Sequence, residues 1–127
     1  MTNRTRPLSP HLTVIKPSIT SVLSMGNRMS IVALSVSMLV LLYWLGALAC
    51  GDEAYTQARE VFTSIPGTLL LMAITLAFFN HWCMEIAHMI WDLGYCLEIK
   101  SSKCLSVGAA MTGIVLSVLF WLVIVIF

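Results

Sequence analysis

The sequence predicts an all-α membrane protein with three transmembrane helices and an extended N-terminal arm on the inner face, and three observations lead there. Only 10% of its 127 residues are charged and 59% are hydrophobic, whereas an average soluble domain is roughly 25% charged. Three runs, Met29–Ala49, Val61–Met84 and Cys104–Phe127, are each longer than 20 residues and hold no Asp, Glu, Lys or Arg. The mean hydropathy is +0.93. At about 1.5 Å of rise per residue, each run as a helix reaches across a hydrocarbon core of roughly 30 Å. A helix also pairs its own backbone groups, which lipid cannot do. The length allows one domain, 1–127, and no low-complexity linker divides it.

The elements follow in order. Residues 1–20 form the arm, because Pro7, Pro10 and Pro17 preclude a continuous helix. The first helix covers about 21–49 and ends at Cys50-Gly51-Asp52, after which Asp52–Glu60 reads as a short amphipathic turn on the outer surface. The second covers about 63–92: Pro66 is tolerated in its first turn, and nothing breaks it before Gly94. The third covers about 104–127 and contains Ala109-xxx-Gly113, a small-residue pair that permits close helix packing.

Charge sets the orientation. Arg4, Arg6, Lys16 and Arg28 precede the first span without any acid, and Lys100 and Lys103 lie in the second loop. The first loop carries Asp52, Glu53 and Glu60 against Arg59. Short loops rich in Lys and Arg stay on the side of synthesis, so the N-terminus faces the cytoplasm or matrix. No basic patch for nucleic acid is present. Cys50, Cys83, Cys96 and Cys104 form no CxxC pair and read as small apolar side chains.

One helix face carries chemistry. His81, Glu85, His88 and Asp92 follow one another at spacings of four, three and four, within a sector of roughly 60°. Ionisable groups inside a bilayer are costly and face a bundle interior, a cofactor or water. His88 and Asp92 read as a polar rim at the inner helix end. His81 lies deeper, and its spacing alone leaves a hydrogen-bonded structural histidine and a haem-iron ligand equally open. Ser24 and Arg28 sit one turn apart at the inner end of the first helix. Arg28 either snorkels to the interface or pairs with an anion or a carbonyl oxygen. A haem between the two helices would bring its iron near His81 and its propionates within reach of Arg28.

These residues resemble the large cytochrome b-type membrane-anchor subunits of succinate dehydrogenase, respiratory complex II. Arg6-Pro7-Leu8-Ser9-Pro10-His11-Leu12 is similar to that family's N-terminal RP-x-SPHL signature. Ser24-x-x-x-Arg28-x-Ser30 resembles its S-x-x-HR-x-[ST]-G motif. His81 with His88-Met89-Ile90-Trp91-Asp92-Leu93-Gly94 resembles H-x-x-x-G-x-RH-x-x-x-D-x-G. The resemblance implies that His81 is an axial ligand of haem b, with the second histidine coming from the small anchor subunit. It also implies that Ser24 and Arg28 line the ubiquinone pocket, with Arg28 near the haem propionates. The implied partners are the flavoprotein, iron–sulfur and small anchor subunits. Asn27, Ile31, Glu85 and Ala87 depart from the pattern, standing where the family has His, Gly, Gly and Arg. For Glu85 the expectation is a cation from a partner subunit, with haem retained. The rivals are a haem-free anchor and a structural membrane subunit with no redox role. The few residues before Arg6, with Met1 at the start, predict a bacterial inner membrane or an organelle-encoded chain of the mitochondrial inner membrane.

Overall fold

Ser18 opens the first helix: its hydroxyl oxygen accepts the Ser21 amide hydrogen at 3.2 Å, satisfying one of the four amides that a helix start leaves free. The computed structural model describes residues 18–126, so the predicted arm and its signature fall almost wholly outside the described residues. Four helices follow, α1 (Ile19–Cys50), α2 (Asp52–Thr63), α3 (Ile65–Asp92) and α4 (Ile99–Ile126). Among the described residues every regular element is a helix. α1, α3 and α4 are the three long and apolar enough to cross a membrane.

The turns between them are made by chemistry that the sequence carries. Gly51 joins α1 to α2 with φ at 106°, a backbone that side chains with a Cβ rarely adopt. Asp52 and Glu53 then occupy the first turn of α2, where the positive end of the helix dipole favours acids. The predicted surface turn is thus a helix of 12 residues. It is held by packing: Ala58 is fully buried, and Trp44 of α1 meets Tyr55 and Phe62 with ring centroids 5.3 and 5.4 Å apart. Ser64 caps α3, with Pro66 in the first turn. α3 ends in a Schellman motif, in which the Gly94 amide donates to Trp91 O and the Tyr95 amide to Ile90 O. α4 starts at Ile99, five residues ahead of the uncharged run, with exposed Lys100 and Lys103 in its first turns. Charge limits what lipid will surround, whereas the backbone continues as helix on either side of that limit.

α3 is central, packing most extensively on α4 and next on α1. The buried face of α4 is Ser106, Gly113 and Ser117. A Cβ on Gly113 would lie 2.8 Å from Asn80 Cα and 3.1 Å from Phe79 O, so the expected close approach at Ala109-xxx-Gly113 occurs at the glycine. α1 is inverted relative to a water-soluble helix. Its buried residues are Asn27, Ser30 and Ala47, while Leu39, Leu42 and Val36 are exposed. Lipid solvates leucine as well as a protein core does, so small and polar side chains gain most from facing another helix.

Two glycines of α4 separate packing from helix propensity. Gly113→Ala forces backbone against backbone and should destabilise by roughly 1–3 kcal/mol. Gly108 has nothing within 4 Å of a built Cβ, and Gly108→Ala should be neutral or stabilising by up to about 1 kcal/mol. Thermal unfolding of the two variants in detergent checks the contrast.

Candidate functional site

The site grows from the contact between α1 and α3. Asn27 and Ser30, three residues apart on α1, are buried at 5% and 8% exposure. They meet Asn80, His81 and Glu85 of α3. At 1.5 Å per residue, His81 lies about 16 Å from the Asp92 end of α3, and Arg28 about 14 Å from the Ile19 end of α1. The helices run in opposite directions, so both residues sit in the same half of the bilayer.

Asn27 bridges the other two polar groups. Its Nδ2 donates to Glu85 Oε1 at 3.0 Å, and its Oδ1 lies 2.8 Å from His81 Nδ1. The amide orientation indicates which ring nitrogen donates. With Nδ2 directed at Glu85, an acceptor, Oδ1 faces His81, and the tautomer with its hydrogen on Nδ1 is the one that completes this bond. In the neutral ring the lone pair is then on Nε2, which has no partner among the described residues. Glu85 Oε1 also approaches His81 Nδ1 at 3.6 Å and His88 Nδ1 at 3.5 Å. A second bond closes the same seam: Asn80 Nδ2 donates to Ser30 Oγ at 3.3 Å, and that hydroxyl donates to Gly26 O at 3.1 Å.

The predicted site residues divide into two groups. His81 belongs to the seam. Ser24 and Arg28 are exposed and border a groove on α1 with Ser21 and Met25. Neither makes a hydrogen bond or ion pair with a described residue, and neither touches the His81–Asn27–Glu85 chain by such a bond. Arg28 lies about 100° around the helix from Asn27, so its face is adjacent to the α3 contact and turned away from it. His88 rests edge-on against Trp91, with centroids 5.2 Å apart, and Asp92 is exposed at the helix end, as a polar rim requires. Glu85 finds its hydrogen bond inside the chain, where a partner's cation was expected, and Asn27 supplies it. Sequence reasoning treated Asn27 only as a departure, took Ser30 only as part of a motif, and passed over Asn80. Their signal was available: two polar residues three apart on one helix, and one beside His81 on the next.

Three apolar spans, two of them joined by a part-buried polar seam that includes His81, define a multi-pass membrane protein. The succinate dehydrogenase/fumarate reductase transmembrane subunit family matches residues 2–126, and this chain belongs to that family. It is similar to the succinate dehydrogenase cytochrome b556 subunit of Rickettsia conorii, at 39% identity over 91% of this chain and 90% of the relative. The cytochrome b556 subunit of Paracoccus denitrificans is 32% identical over 91% and 92%. The cytochrome b560 subunit of Reclinomonas americana is 34% identical over 78% and 72%.

Ser30→Ala strips Asn80 of its acceptor without touching His81. The expected cost is about 0.5–1.5 kcal/mol, read as a lower midpoint in thermal unfolding, with the contact between Asn27 and His81 unchanged by NMR of the labelled imidazole.

Proposed function

We propose that the chain is the large membrane anchor of a succinate:quinone oxidoreductase. It docks the flavoprotein and iron–sulfur subunits at the inner face of the bilayer. With the small anchor subunit it forms part of the ubiquinone pocket and holds haem b between them. The N-terminus and the loop carrying Lys100 and Lys103 face the matrix or cytoplasm, in a bacterial or mitochondrial inner membrane. The cation distribution supports that side, and the names of the relatives support the haem.

The observation that carries the haem reading is the His81 ring. With Nδ1 donating to Asn27, the ring offers Nε2 as a neutral nitrogen donor, the form in which imidazole binds iron. His81 would be the axial ligand from this chain, and Arg28, in the same half of the bilayer, would pair with a propionate. When bound, haem b supplies a one-electron carrier within the membrane.

For quinone, Ser24 and Arg28 supply a hydroxyl and a guanidinium on one exposed face of α1. Both donate hydrogen bonds, and donors aimed at a carbonyl oxygen stabilise the negative charge that grows there on reduction. Both line an open groove on α1, a position that fits a pocket completed by the iron–sulfur and small anchor subunits.

Two substitutions in the intact complex test this. Arg28→Leu should cut succinate–quinone reductase activity at least tenfold and leave succinate oxidation by a soluble dye largely intact; normal quinone turnover removes Arg28 from the pocket. His81→Leu should abolish the low-spin b-type difference spectrum, and an unchanged spectrum removes His81 as a ligand.

A further inference from the structure

The hydrogen-bond chain on the far side of His81 does more than satisfy buried groups. Asn27 and Glu85 are both departures from the family pattern, yet they fit each other: Glu85 orients the Asn27 amide, and the amide in turn orients His81. Without Asn27, Glu85 would keep only its longer approaches to His81 and His88. Asn27 is 95% buried, since its exposure is 5%, so its amide has no water with which to exchange partners.

We propose that Asn27 and Glu85 are positioning residues that tune His81 as a ligand and hold the reduction potential of the bound haem low. This rests on the reading of His81 as an axial ligand. The physical argument has two parts. First, an imidazole whose remaining N–H is held by an oxygen acceptor is fixed in tautomer and ring angle and becomes the more basic ligand. A more basic ligand stabilises the ferric state over the ferrous one, which lowers the potential. Second, the acceptor is itself polarised. Glu85 draws on the amide N–H at 3.0 Å, which places more negative charge on the Oδ1 that faces His81, as bonded chains do in a medium of low dielectric. The carboxyl thus acts at the ring through Asn27. Its 3.6 Å approach to Nδ1 is too long to be the bond that fixes the tautomer.

Placement favours this over simple gap filling. Both groups lie on the Nδ1 side of the ring, so neither competes for Nε2. The Glu85 side chain is 46% exposed against 25% for His81, so the carboxyl had an outward course open to it and is nevertheless bonded inward to Asn27.

The experiment is a redox titration of haem in the purified whole complex, comparing the natural chain with Asn27→Leu, Glu85→Leu and the double variant. Asn27→Leu should raise the midpoint potential by a tenfold change in the reduction equilibrium or more, 59 mV for a one-electron couple, while the low-spin spectrum persists. Glu85→Leu should raise it by less. If Glu85 acts through Asn27, the double variant should shift no further than Asn27→Leu, and additive shifts overturn that relay. Unchanged potentials in both single variants overturn the proposal while leaving His81 as the ligand. Absence of b-type haem from the natural complex overturns both readings together. Should Asn27→Leu fail to assemble, Glu85→Leu decides alone, and an unchanged potential there counts against the proposal.

Discussion

A polar side chain buried between helices inside the bilayer gains most by pairing with another, and the α1–α3 seam is where this chain makes such pairs. Asn27, His81 and Glu85 form one hydrogen-bonded group across two helices, and Ser30 with Asn80 forms a second beside it. Hydrogen bonds between membrane helices contribute only about 0.6 kcal/mol each on average, so the seam adds little gross stability. Its larger effect is on register. A one-residue slip of α1 against α3 would turn Asn27 away by about 100° and leave His81 and Glu85 unpaired together. The sliding freedom that apolar helices have against each other is removed by a few directional bonds.

The remainder of the bundle accommodates that seam. α4 approaches α3 through Ser106, Gly113 and Ser117, a face of small residues that adds contact and no competing polar demand. α2 closes the opposite end, where Trp44, Tyr55 and Phe62 gather and Arg59 lines an apolar cleft of about 580 Å³. Aromatic rings at that level suit the boundary between tails and headgroups. The two ends are thus chemically distinct, with hydrogen bonding toward the end that carries Arg28, Lys100 and Lys103, and ring packing toward the other.

How much of this was legible in the sequence differs by element. The three spans were, because hydropathy over twenty residues is a strong signal and lipid permits few alternatives. The end of α3 at Asp92 was foreseen from the absence of a breaker before Gly94. The helix at Asp52–Thr63 was read only as a turn, since its burial depends on Trp44 from another element, which local pattern cannot reveal. The start of α4 was placed five residues late because the lysines were taken as the helix boundary when they mark only the membrane boundary. In the seam, His81 was singled out by depth and by motif, and Asn27 was seen only as a deviation. A deviation has meaning when its partner is known, and the partner, Glu85, lies 58 positions away in the chain.

The glycine on α4 has a reach beyond its own helix. Gly113 rests against the backbone of Asn80, the residue immediately before His81. The third span therefore serves as a backstop: among the described residues it contributes no hydrogen bond to the seam, yet it bears on α3 directly beside the imidazole. Sequence change in this protein need not respect the division between site and scaffold. A methyl group added on the far helix would press on the backbone beside His81, from a position with no functional group at all.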